Sequence, residues 1–380
     1  MILLFVVPMF VGCCAILWLY WDRLKKPPKK KIFISADCWL EVFHLLSPSQ
    51  LGLGISLISH RFDFYVEEHF KTRKWALKYI GIESKNGENG TKEMEIGNLK
   101  WESLPIPKIQ MPRKVSGFES ISISFIDQNV IAFLRHFSQL FAACQINLAI
   151  NMYYNVRILK VPLLRNIWPM ITRKIQGLEL TADDFHHLRQ FVPSILNNHP
   201  SLRVFSIRIA DFFTEFPCDD NAMASDGQAV AKWLFTPLQN NVPKLFKCAL
   251  DMDVGNLALN IEAFKATFAN ASSPANFIVA ICFVHSFLAD SVLAFDLTNE
   301  LTRERLALKR IDNSDDICLM LLVRCPIARD ESKWTKWEKE AIGWQLYEQW
   351  NQIDIYIYNE HKIGDGLLDA NPGPSDQQQK

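Results

Sequence analysis

The sequence predicts a mixed α+β and α/β chain: a small helical module, a repeating strand–helix body, then antiparallel strands closed by a helix. Three observations carry this. Residues 34–62, "ISADCWLEVFHLLSPSQLGLGISLISHRF", space their apolar side chains for helices. An L-x-x-L-x-L spacing recurs between Phe118 and Val279, with helical segments between its copies. After residue 290 the chain turns to short apolar runs separated by turns and ends in a tryptophan-rich helix.

The bounds are broad. At 380 residues there is room for two or three domains, and with 49% apolar residues the chain can bury a sizeable core. The formal charge balances to zero, which argues against bulk electrostatic binding, so no nucleic-acid partner is expected.

Residues 1–21 carry no ionisable side chain, and as a helix they would span about 31 Å, close to a bilayer core. Trp18, Tyr20 and Trp21 crowd one end, and residues 22–32 then hold six cationic side chains against one Asp. Positive charge behind the apolar run predicts an uncleaved transmembrane anchor, with a basic juxtamembrane segment and the rest of the chain in the cytosol. The alternative is a signal peptide and secretion. Nine cysteines without a CxxC or regular spacing read as reduced thiols, most of them packed in the core. The sequons at Asn89 and Asn270 would be used only in a lumenal body.

Residues 33–75 form the helical module. Ser35 is set as an N-cap, and Trp39, Val42, Phe43 and Leu46 make one helical stripe. Ser47, Pro48 and Gln50 have the order of a capping box with proline first, opening a second run through Leu51, Ile55, Ile58, Phe62 and Tyr65. Two or three short helices of this size cannot bury all these faces alone.

The stretch resembles an F-box, the three-helix motif that docks on Skp1 in cullin-RING ubiquitin ligases. Ile34-Ser35 stands where Leu-Pro is usual, and Asp37 takes the acidic fourth position. Val42, Phe43 and Leu46 match the first-helix apolar positions, Leu51 the middle leucine, and Ile58-Ser59-His60-Arg61-Phe62 the ending. One extra residue lies between opening and ending. On a larger scale, the order of "WLEVFHLLSPSQLGLGISLISHRFD", "LPIPKIQMPRKVSGF", "AVAKWLFTP" and "LLVRCPIARDESKWTKWEKEAI" is similar to an expanded F-box family of plant-parasitic nematodes. The resemblance implies a substrate-recognition adaptor, with Skp1 contact through Ile34, Ser35, Val42, Phe43, Leu46, Leu51, Ile58 and Phe62. It implies a Skp1-type adaptor and a cullin as partners, beside an unknown protein substrate. The adaptor itself is not an enzyme.

Residues 76–117 read as a linker, part polar loop and part proline-stiffened connector. The repeat domain spans 118–290. Its full copies are Phe118-x-x-Ile121-x-Ile123, Ile175-x-x-Leu178-x-Leu180, Leu202-x-x-Phe205-x-Ile207 and Leu245-x-x-Cys248-x-Leu250. Leu148-x-Ile150 and Phe277-x-Val279 are partial copies, with Gln145 and Pro274 at the first position. Steps of 27, 30, 27, 43 and 29 residues, with helical segments such as "NVIAFLRHFSQLFAA" between, predict an irregular leucine-rich-repeat-like α/β solenoid; an ordinary α/β sheet is the alternative. The longest step carries an acidic surface loop, "ADFFTEFPCDDNAMASDG". Residues 291–360 read as a C-terminal β-rich cap with antiparallel strands and a helix, its Trp337, Ala341 and Trp344 capping the end of the solenoid core. Residues 361–380 read as a disordered tail.

No catalytic constellation stands out. Gly52-x-Gly54 lacks the third glycine and the strand of a phosphate loop. His186 and His187 are adjacent and so lie on different helix faces, and His44, His60 and His69 read as solvated or rim positions. The acidic clusters at 218–220 and 312–316 lack the glycine and glutamate of a calcium loop. Neither a cofactor nor a metal is expected. The function predicted is binding: a ligase adaptor, with a membrane-displayed or secreted repeat protein as the alternative.

Overall fold

The computed structural model of the chain describes residues 34–43, 45–46, 51, 55–72, 75–84, 92–96, 115–152, 163–252, 254–283, 292–311 and 318–357. Contacts divide the chain between Thr72 and Arg73 into two units. Among the described residues no helix is long and apolar enough to cross a membrane. The expected transmembrane helix is corrected on this finding, and the stretch on which it was placed, residues 1–21, lies outside the described residues.

In the first unit, helix α1 (Ala36–Phe43) starts where Ser35 Oγ accepts from the Cys38 amide at 3.4 Å. The second helical run does not continue through Phe62 as its stripe suggests. A 3-10 turn at Ser56–Ile58 ends at Ser59, whose backbone is extended (φ −169°, ψ 159°). Ser59 Oγ then accepts from the Phe62 amide at 3.4 Å and caps α2 (His60–Thr72). A serine hydroxyl competing for amide donors is what splits the run. The proposed cap at Ser47 lies outside the described residues.

The second unit is built on one twelve-stranded sheet. In chain order its strands are β1 (Trp75–Ser84), β2 (Lys92–Ile96), β3 (Val115–Ile123), β4 (Ile146–Met152), β5 (Ile175–Leu180), β6 (Val204–Ala210), β7 (Lys244–Leu250) and β8 (Phe277–Phe283). There follow β9 (Phe295–Asn299), β10 (Glu304–Ile311), β11 (Cys318–Pro326) and β12 (Gln352–Ile357). The spatial order is β2-β1-β3-β12-β4-β5-β6-β7-β8-β11-β10-β9. All pairings from β1 to β8 by way of β12 are parallel; β1–β2 and those among β8, β11, β10 and β9 are antiparallel.

All six repeat copies fall on consecutive strands β3 to β8. Ile80, Ile121, Ile353, Leu148, Leu178, Phe205, Phe246, Val279, Leu322 and Leu308 form one row across ten strands, in which Ile121, Leu148, Leu178 and Phe205 are the fourth positions of their copies, Phe246 a second position and Val279 a sixth. All ten are buried on the same face. Spacing aligned Cys248 with Phe205, whereas Phe205 pairs with Phe246. A slip of two residues keeps each side chain on its face, so nothing in the hydrophobic pattern opposes it.

That face is covered by α3 (Gln128–His136), α4 (Ser138–Ala143), α5 (Trp168–Ile171), α6 (Ala182–Phe191), α7 (Asp226–Phe235) and α8 (Val254–Ala269), whose inward side chains belong to the same core. Side chains cap several of them: Asp127 accepts from the Val130 amide, Thr181 from Asp184, and Ser225 with Gln228 makes a full capping box.

Three features differ from the sequence reading. The linker range contains β1 and β2, because Ile80 and Ile82 alternate into the core; its residues 85–91 and 97–114 lie outside the described residues. The tryptophan helix α9 (Glu331–Gly343) covers the opposite face of the sheet instead of capping an end. Trp334, Ala341, Trp344 and Leu346 pack there on Ala149, Val204, Leu245 and Ile278, while Trp337 is only half-buried. Arg203 clamps Glu340 through both terminal nitrogens at 2.5 and 2.9 Å, and Lys247 Nζ donates to the Trp344 carbonyl at 2.9 Å.

The third difference is β12, which enters between β3 and β4 from the far end of the chain. Asn351 admits it. Its φ is 55°, its amide donates to the Phe118 carbonyl at 2.8 Å, and its Oδ1 accepts from the Phe118 amide at 3.0 Å. On the other side the Asn147 amide donates to the Asn351 carbonyl at 3.1 Å. A Cβ at Gly117, the third residue of β3, would lie 2.8 Å from Asn351 Oδ1, so a glycine there leaves room for the Asn351 side chain.

Candidate functional site: exposed apolar side chains on the N-terminal unit

Among the described residues the apolar core of the first unit has three buried side chains, Phe43, Leu51 and Val66. Around them pack Trp39, Leu40, Leu46, Ile55, Phe62, Tyr65 and Phe70, with Trp39 edge-on to Phe62 at 4.8 Å. His69 belongs to this core as well, edge-on to Phe43 at 5.9 Å, and not to a solvated rim. Outside it, Ile34, Val42, Leu45, Leu57, Ile58 and Phe64 are between 40% and 86% exposed. Single exposed leucines are ordinary, but six large apolar side chains around a three-residue core are not.

The eight residues expected to face a partner divide accordingly. Phe43 and Leu51 are 1% exposed and form the centre of the unit itself. Leu46 and Phe62 pack half-buried against that centre. Ser35 caps α1. Ile34, Val42 and Ile58 alone are exposed and apolar. Val42 is one residue, or about 100° around the helix, from the inward Phe43. Arg61 ties the segment before α1 to α2: its Nη2 donates to the Ile34 carbonyl at 3.2 Å and its Nε to the Tyr65 hydroxyl at 2.8 Å. Sequence reasoning missed Leu45, Leu57 and Phe64. The signal was available, since these apolar residues sit off the helical stripes and no local face can bury them.

In the second unit, the sheet face shared with α9 carries a polar group at the carboxyl ends of its strands. Arg208 Nε donates to Glu179 Oε1 at 3.0 Å. Burial pushes the Asp354 carboxyl up, Arg208 draws it down, and Glu179 raises it. Burial likewise lowers Lys247, opposed by Glu179 and Glu348. Glu179 and Lys247 occupy "x" positions of the repeat, Arg208 follows its copy and Asp354 lies on β12, and none of them drew attention in the sequence.

Other candidates resolve into structural roles. His186 Nδ1 lies 3.1 Å from Asp226 Oδ2 and His187 Nδ1 2.6 Å from the Asp183 carbonyl, so the two histidines serve different partners. The acidic loop is pinned: Arg189 donates to Asn221 O, Ala224 O and Asp226 Oδ1, and Asn197 to Asp220 Oδ2 at 2.8 Å. The 312–316 cluster lies outside the described residues. Among the described residues no group of three or more His, Cys, Asp or Glu is placed to hold a metal. Burial raises the thiols of Cys144, Cys248 and Cys325, the opposite of an activated nucleophile.

Comparison of the chain with protein families, with curated proteins and with solved structures finds no match. The physical reading therefore stands on the residues alone.

Proposed function

We propose that the chain is a substrate-recognition adaptor of a Skp1-cullin-F-box ubiquitin ligase, working in the cytosol. The observation that supports it is the imbalance of the first unit. Among the described residues three buried apolar side chains stand against six exposed apolar ones that a partner would cover. A Skp1-type subunit would supply that cover as a helix-in-groove partner. Ile34, Val42 and Ile58 would make the contact, while Phe43, Leu51, Leu46 and Phe62 hold them in position. The cullin assembly brings the transfer chemistry, so the adaptor supplies proximity and needs no active site.

The second unit is the cargo-binding half in this reading. We read it as an irregular leucine-rich-repeat-like solenoid. In support, β4 to β8 lie in chain order and the helices between them share one face.

The test is co-purification of the full-length chain with a Skp1-type subunit, comparing wild type with Val42→Glu/Ile58→Glu. Both positions are exposed, so the unit keeps its core. Retained Skp1 is expected to fall at least about tenfold, as for hot-spot contacts. Undiminished retention by the double variant overturns the assignment.

A further inference from the structure

At the amino ends of the parallel strands, away from the polar group at their carboxyl ends, the second unit holds an open cavity of about 270 Å³. Its wall is drawn from four successive strand entries: Gln145 before β4, Gln176 in β5, Ser201 and Arg203 before β6, and Gln239 and Asn240 before β7. Adjacent entries are about 4.8 Å apart, the strand spacing of the sheet. Among the described residues the side chains of Gln145, Gln176 and Gln239 make no hydrogen bond. Each offers two donors and an acceptor to whatever enters.

Charge narrows the ligand. Among the described residues Arg203 is the one ionised group in the wall, and Glu340 already neutralises it through both terminal nitrogens, leaving its buried Nε without a partner. An anion thus gains little from this arginine. Apolar ligands fare no better, since Pro200 and Leu238 alone are apolar. Among the described residues no aromatic ring lines the cavity on which a sugar ring could stack. What the carboxamides match is the peptide group, one N–H and one C=O side by side, repeated along an extended chain.

We propose that this cavity is a peptide site, gripping an uncharged, extended polypeptide segment by its backbone amides across the entries of β4 to β7. The assignment deepens the cargo half of the adaptor reading and rests on it for its biological sense. Its physical content is independent, because peptide binding here needs no Skp1.

The probe is acetyl-tetraglycine-amide, which has a backbone and no side chains. It is titrated into the full-length chain with Gln and Asn side chains labelled with nitrogen-15, alongside methyl glucoside and acetate. The peptide is expected to shift the side-chain amide signals of Gln145, Gln176 and Gln239, each identified by its loss in the matching Gln→Leu variant. Affinity is expected to drop at least about tenfold in Gln145→Leu/Gln176→Leu, with two amide contacts removed, while the melting temperature holds. The proposal is overturned if no signal moves at saturating peptide, if the sugar or acetate shifts them equally, or if the double variant binds as well as wild type. Failure of Skp1 co-purification alongside these shifts would sink the ligase reading and leave the peptide site standing.

Discussion

Lys244 lies 3% exposed beneath the carboxyl end of α7, where its Nζ donates to the Trp233 carbonyl and sits 4.8 Å from the Trp233 ring. Burial lowers its pKa to about 7 from 10.5. The unfolded chain therefore holds one more proton than the folded one between these two values. The penalty is full below pH 7 and fades as pH rises toward 10.5, so this residue makes stability increase with pH across that window. At about 1.4 kcal/mol per pKa unit, the effect amounts to a few kcal/mol. Thermal melts of wild type and Lys244→Met at pH 7 and pH 9 check it. Wild type is expected to gain stability relative to the variant on going to pH 9, and parallel behaviour of the two proteins would refute the mechanism. Nothing in the sequence marked this lysine. "PKLFKCAL" reads as a strand in which Lys244 and Lys247 are alike, yet one faces the helices and the other faces α9.

Among the elements, β12 starts directly after a residue that bonds both neighbouring strands. Asn351 combines a left-handed backbone with bonds to both neighbouring strands. Asn351→Gly keeps the backbone and loses the side-chain bond. Asn351→Ala loses the bond and strains the backbone, by about 1–2 kcal/mol for each effect. Denaturant midpoints are expected to fall in the order wild type, glycine, alanine; equal midpoints for the two variants would show that backbone strain plays no part. Strands β4 to β8 were legible in advance because an alternating apolar pattern in a parallel sheet is local and repeats. By contrast "NQIDIYI" carries the same alternation and nothing that says where it pairs. The α1–α2 region shows the other limit. Part of its apolar stripe turns inward, but Val42 and Ile58 are exposed, and the stripe ran straight through Ser59, where side-chain capping outweighs helical continuation.

For the molecule as a whole, the late strand makes the sheet non-local. β3 and β4 each pair with β12 and not with each other, so the first repeat joins the rest through a segment more than two hundred residues downstream of either. A chain ending at Gln349 would leave a gap one strand wide, about 4.8 Å across, with the backbone groups on both sides unpaired. Such a truncation is expected to lose cooperative unfolding, read as a broadened thermal transition in circular dichroism. A sharp transition at the full-length midpoint would mean that β3 and β4 can close on each other. In the N-terminal unit, Val42 and Ile58 are exposed, and in the proposed function a partner covers them.

From the sequence alone came the repeat and the strands that carry it, the helical segments between them, the antiparallel meander near the end and the Ser35 cap of α1. All of these rest on periodicity and capping, which act over a few residues. Tertiary structure alone decided that Phe43 and Leu51 turn inward while Val42 and Ile58 stay in solvent, that α9 lies over the second face of the sheet, and that β12 divides β3 from β4. The physical reason is common to all three. Which surface an apolar side chain covers depends on what else has folded nearby, and neither spacing nor composition contains that information.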